Sequence, residues 1–96
     1  WFVPVRSLVL VEAEGNHTLV HLQDGKPLLH HTLAAMEARL PATLFLRANR
    51  SQLVNRHFIA HIEPWFSGSL KATLKNGVAV EFSRRQAQSL RAKLGL

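Results

Sequence analysis

A single small domain, mainly β with two helices, is the fold class that three features of the sequence predict. Ninety-six residues are enough for one hydrophobic core and leave no room for a second, since single cores commonly form in chains of about 100 residues. Strict alternation at residues 17–22, and again on both sides of Asn76-Gly77, carries the period of two that strands require. Apolar residues at helical spacing are confined to Leu33, Met36 and Leu40 and to Ala87, Leu90 and Leu94.

In chain order, residues 5–11 form an apolar run broken only by Arg6 and Ser7, short and β-branched enough for a buried strand. Residues 12–16, Glu-Ala-Glu-Gly-Asn, then turn the chain. Residues 17–22 make a second strand paired to the first, with Thr18, Val20 and Leu22 on one face and His17, Leu19 and His21 on the other. Asp24-Gly25 is a hairpin signal, and residues 28–31 return as a strand. Thr32 can N-cap a short helix that Pro41 ends. Residues 45–48 resume strand, residues 51–55 are expected to make one helical turn, and residues 59–62 form a further strand stopped by Pro64. Residues 69–74 and 78–82 read as two strands joined by a type I′ turn at Asn76-Gly77. Ser83-Arg84-Arg85-Gln86 has the form of a capping box, opening a terminal helix that Gly95 closes.

Composition excludes several function classes. A hydrophobic fraction of 47% is ordinary for a globular chain, and no apolar run approaches the roughly 18 residues of a membrane span. No secretory signal precedes the first strand, so the cytoplasm is the expected compartment. Without cysteine there is neither a disulfide framework nor a thiolate metal site. The six histidines pair only as His17 and His21, His57 and His61, and His30 and His31, too extended along strands to converge on one ion, so no metal and no cofactor is expected. Six scattered acids offer no carboxylate pair, and neither a cysteine nucleophile nor a glycine-rich phosphate loop is present, so the chain is not expected to be an enzyme.

The charge distribution is more informative. Residues 1–46 carry three Lys or Arg against four acids, whereas residues 47–96 carry nine against Glu63 and Glu81. The overall +6 therefore resides in the second half, which points to an anionic partner, nucleic acid or a membrane surface. Arginine outnumbers lysine eight to four, favouring planar bidentate recognition over simple charge adsorption.

The basic half opens with residues 44–55, Leu-Phe-Leu-Arg-Ala-Asn-Arg-Ser-Gln-Leu-Val-Asn. Apolar residues of strand character lead into Arg47, Asn49, Arg50, Ser51, Gln52 and Asn55, a density of forked donors suited to phosphates and base edges. The competing interpretation is a solvated turn with Ser51 as a helix N-cap. This run resembles the central signature of the LytTR family of bacterial DNA-binding domains, Phe-x-Arg-x-(His or Asn)-Arg-Ser-x-x-Val-Asn, with Asn49 where many members carry His. The similarity extends over the chain from Val5: Glu-Ala-x-Gly-Asn at the first turn, Thr-Leu before the helix, Leu-Pro closing it, and Ser-Arg-Arg opening the last helix.

The resemblance implies an elongated antiparallel β fold of small packed sheets, with one short internal helix and one C-terminal helix, that lays loops into successive major grooves of duplex DNA. Three contact places follow. At the first turn the family's base-contacting position falls on His17, with Asn16 beside it; an Asx turn with an exposed histidine is the bland alternative. In the central run it falls on Asn49 and Arg50, flanked by Ser51. Arg50 is suited to fork onto guanine O6 and N7, while Arg47 suits either a phosphate or a carboxylate. At the last helix, Ser83, Arg84 and Arg85 offer exposed amides and two guanidiniums projecting to different sides; the resemblance favours Arg85 for a base, against the alternative of a solvated helix start. Lys71 and Lys75 read as solvent-face charges.

The expected function is therefore sequence-specific binding of double-stranded DNA by the effector domain of a bacterial transcription regulator, the response regulator of a two-component system. The alternative is a basic protein-interaction or anionic-membrane module that uses the same arginines as a charge patch. Family members usually carry an N-terminal receiver or membrane sensor, so residues 1–96 are expected to be the C-terminal domain of a longer regulator, acting as two copies on direct repeats.

Overall fold

A computed structural model of the chain describes residues 5–23, 25, 28, 29 and 31–94. Among the described residues, eight strands form two antiparallel sheets. The larger has the order β3-β2-β1-β5-β4, built from β1 (Leu8–Glu14), β2 (His17–Leu22), β3 (Leu28–Leu29), β4 (Phe45–Asn49) and β5 (Gln52–Asn55). The smaller is a meander of β6 (Ile59–Pro64), β7 (Leu70–Leu74) and β8 (Ala79–Phe82). Helix α1 (Leu33–Arg39) and helix α2 (Arg84–Leu94) complete a body of 37 × 24 × 21 Å, elongated as expected.

The large sheet is the middle layer. Leu8, Val11, Phe45 and Leu53 face Leu33 and Met36 of α1 on one side. Val9, Leu10, Leu46, Ala48 and Val54 face Leu70, Ala72, Val80 and Phe82 of the small sheet, with Ala87 and Leu90 of α2, on the other. Burial on both faces is why β1 shows no alternation in sequence and reads as a continuous apolar run. A register shift between Leu8 and Leu10 turns Val9 and Leu10 toward the same core, which is the work of a β-bulge.

Several elements differ from the sequence expectation. Residues 5–7 form a 3₁₀ turn, so β1 starts three residues later and runs to Glu14. Glu12, Ala13 and Glu14 stay in the ladder because each has a partner, Leu19, Thr18 and His17, which leaves only Gly15-Asn16 to turn the chain. Gly15, at φ 61°, takes the left-handed position that a two-residue hairpin demands of its first residue.

Residues 51–55 form no helical turn. Ser51 lies in a turn and residues 52–55 form β5, because Leu53 and Val54 bury into opposite cores and pairing with both β1 and β4 outweighs the local capping signal of Ser51. The β7–β8 connection is also not type I′. Gly77 N–H donates to the Leu74 carbonyl at 2.8 Å, and Gly77 alone is left-handed, at φ 88°. That is a three-residue loop with a glycine bulge, Asn76 Oδ1 accepting from Val78 N–H at 3.1 Å.

The helix starts follow the sequence. Thr32 Oγ1 accepts from Ala35 N–H at 3.1 Å, and Ser83 Oγ from Gln86 N–H at 3.3 Å. Asp24 of the predicted hairpin, His30 of the return strand and Gly95 of the helix stop lie outside the described residues.

Candidate nucleic-acid interface

The β4–β5 hairpin carries the most basic part of the motif. Asn49 pairs with Gln52, which leaves Arg50 and Ser51 as a two-residue tip. Asn49 Oδ1 accepts from the Ser51 N–H at 2.9 Å and from its hydroxyl at 3.1 Å, an Asx turn that fixes the backbone of the tip. The Asn49 amide donates onward to Gln52 Oε1 and to the Glu81 carbonyl, each at 2.8 Å. All of its polar atoms are thus engaged within the protein.

Arg47 is likewise occupied. Its Nε donates to the Asn49 carbonyl at 2.6 Å, one terminal nitrogen to the Arg50 carbonyl at 2.9 Å, and the other to Glu37 Oε1 at 2.7 Å. Of the two roles open to it in sequence, carboxylate partner is the one it fills here, and it braces the tip from below. Arg50 is exposed and its guanidinium has no hydrogen bond or ion pair among the described residues.

Backbone pairing brings the three sequence-predicted places to one end of the fold. Ala13 N–H donates to the Ser51 carbonyl at 2.8 Å, and Glu12 lies opposite Gln52, so the Gly15-Asn16 turn emerges beside the Arg50-Ser51 tip. On the other flank Ser83 N–H donates to the Ala48 carbonyl at 3.0 Å, which sets the first turn of α2 against β4. Asn16 and the side chains of Arg84 and Arg85 are exposed, whereas His17 is half-buried.

Between α1, β4 and α2 an open groove is lined by Arg47, Arg50, Ser83, Arg85 and Lys93, with Glu37 the acid among them. Lys93 went unnoticed in sequence. It stands eight residues after Arg85, with Ser89 midway, and that spacing puts all three on one helix face. Four cations around a groove holding one carboxylate, already paired with Arg47, give it a positive balance suited to an anionic ligand.

A polar relay inside the sheet was also invisible to sequence. His21 Nε2 bonds Glu12 Oε1, Glu12 Oε2 accepts from Gln52 Nε2 at 2.9 Å, and Gln52 Oε1 accepts from Asn49. It ties β2, β1 and β5 to the base of the tip.

Asn55, the last donor of the central run, points elsewhere. It is fully buried, donating to the Leu8 carbonyl at 2.8 Å and accepting from His57 N–H at 2.9 Å, so it holds strands together. Lys71 is half-buried with its ammonium 4.5 Å from the Trp65 ring centroid, more engaged than a solvent-face charge. Among the described residues no three His, Asp or Glu converge as a metal site, and no helix is long and apolar enough to cross a membrane.

Comparison with known proteins bears on the fold and the family. The sequence profile of the LytTr DNA-binding domain matches residues 1–95. "Sensory transduction protein LytT" of Enterococcus faecalis is 34% identical over the whole of this chain, which covers 40% of that protein. "Transcriptional regulatory protein LytR" of Staphylococcus aureus is 26% identical over 95% of this chain and 37% of its own length. The chain thus spans about 40% of the length of the curated relatives it matches. Among solved structures, a LytTr DNA-binding domain from Bacillus cereus superposes with a TM-score of 0.91 at 29% identity, over 98% of this chain and 86% of that one.

Proposed function

Since the chain belongs to the LytTr DNA-binding domain family, we propose that it reads duplex DNA by sequence, presenting Asn16-His17, the Arg50-Ser51 tip and the start of α2 to successive stretches of the major groove. The family is one of DNA-binding domains and not of enzymes. What supports the finer reading is the convergence of two turns and a helix start at one end, with the guanidiniums of Arg50 and Arg85 unpaired among the described residues beside a groove whose acid, Glu37, is paired with Arg47.

On this reading the residues divide by role. Arg50 forks onto a guanine and Arg85 supplies a second base contact, because both are unpaired among the described residues and presented on regular elements. Asn16 and His17 read at the first turn. Ser83 and Arg84 hold phosphate and set the register, whereas Ser51 donates its N–H and hydroxyl to Asn49 and serves the shape of the tip. Arg47 and Asn49 act by holding the tip in shape, their polar atoms being taken by the protein itself.

The domain works in the bacterial cytoplasm as the output end of a longer regulator, with a receiver or sensor on its N-terminal side and two copies on direct repeats. Selection of bound duplexes from a random pool tests the reading. An enriched motif that loses one or two positions with Arg50→Ala is the expected result; uniform retention of every duplex identifies a charge patch instead.

A further inference from the structure

The β6–β7 connection holds the most exposed large apolar residue among those described. Phe66 is 74% exposed and the neighbouring Trp65 is 38% exposed, whereas the other large apolar side chains among the described residues are mostly interior. The two rings meet edge to face with centroids 5.0 Å apart. Lys71 covers Trp65 from behind, and Ser69 donates to the Phe66 carbonyl through its hydroxyl at 2.7 Å and its N–H at 3.0 Å. Trp65 N–H in turn donates to the Ser69 carbonyl at 3.0 Å. At the tip, Ser67 takes a left-handed backbone, φ 54° and ψ 35°, which a residue with a side chain rarely adopts. Phe66 is thus held outward by a braced, strained turn. A ring in water has no stability reason to be so held.

Its position gives the reason. Pro64 pairs with Leu70 and Leu70 with Phe82, so the turn lies at the same end of the small sheet as Ser83. A Cβ built on Gly68 would come within 3.3 Å of Arg84 Cγ, so the turn abuts the arginine stem at the start of α2. The turn therefore adjoins the start of α2 from the β6-β7 side of the small sheet, whereas the Arg50 hairpin meets that sheet at Glu81 of β8.

We propose that Phe66, backed by Trp65, is a further DNA contact, its ring lying against deoxyribose and base edge at the outer boundary of the footprint. This rests on the reading given under Proposed function. Duplex DNA fits better than a protein partner because the apolar surface amounts to two rings flanked by Lys71 and Arg84. A protein interface would have to desolvate both charges for that small gain, whereas phosphates on either side of a sugar would pair with them.

Binding of the 96-residue chain to its selected duplex, titrated over a range of salt, is the test, alongside hydroxyl-radical footprinting. Phe66→Ala is expected to weaken binding about fivefold or more, the scale of an apolar ring losing its contact. Its salt slope should match that of the parent, because no phosphate charge is lost, and protection should disappear at one edge of the footprint only. The thermal midpoint should be unchanged, which separates the effect from unfolding. Unaltered affinity and footprint, in a chain whose sequence preference still depends on Arg50, would overturn the proposal, leave the DNA reading standing and make the rings a protein-docking surface. Absence of any sequence preference in the parent chain would overturn both.

Discussion

Gln52 and Glu12 face each other across the β1–β5 pair, and the Gln52 amide donates to the Glu12 carboxylate at 2.9 Å while its carbonyl oxygen accepts from Asn49. The central strands of the sheet are thereby coupled to the tip that carries Arg50. Gln52→Ala is expected to cost about 1 kcal/mol of folding stability, the usual net worth of a partly buried hydrogen bond. Glu12→Ala and Gln52→Ala together should cost less than the sum of the two, with an interaction of about 0.5–3 kcal/mol. Additive losses in urea unfolding would mean that the pair contributes nothing jointly.

Arg50→Ala should weaken the cognate complex by about 1–3 kcal/mol and relax preference at the contacted base pair. Lys75→Ala, in the loop at the opposite end of the small sheet, should leave the preferred sequence unchanged. Equal losses for Arg50→Ala on cognate and random duplex would assign Arg50 to a phosphate.

Salt dependence reports the whole face at once. With Arg50, Arg84, Arg85 and Lys93 all exposed, several phosphates should be neutralised on binding, and affinity should fall roughly a hundredfold or more between low and physiological salt. An affinity flat over that range would remove the electrostatic argument.

How legible the molecule was in its sequence varied with the range of the interactions involved. The bounds of β2 and the starts of both helices were readable because alternation and hydroxyl caps are local signals. The strand identity of β5 was not, since Ser51 offers a cap nearby while the pairing that decides the matter comes from Glu12 and Leu10, some forty residues earlier. The site divided in the same way. Arg50, Arg84 and Arg85 stand out in any reading of the charge pattern. The engagement of Asn49 with Glu81, the relay through His21, and the outward face of Phe66 each depend on partners that only the fold brings together.

One domain with a few short turns discriminates only a brief run of base pairs, and each wrong pair costs about 1–3 kcal/mol, so two copies on one face of the helix are expected. In the regulator with its natural N-terminal region, inserting about half a helical turn, 5 base pairs, between repeats should weaken joint binding. A full turn should partly restore it. If both insertions are harmless, the copies bind independently.

The place of β1 in the large sheet has a consequence for how the chain folds. Its pairing with β2 closes across two residues, but its pairing with β5 joins positions forty residues apart, and the entropy of that closure is recovered only once both cores begin to form. The β6-β7-β8 meander pairs neighbours alone and has the shorter route to its native contacts. The end that carries Asn16, Arg50 and Arg85, which needs β1, β5 and the start of α2 in register, is then completed last. In stopped-flow refolding, Val80→Ala should slow folding, whereas Leu53→Ala should act mainly by speeding unfolding; the reverse pattern would put the long-range pairing in the nucleus.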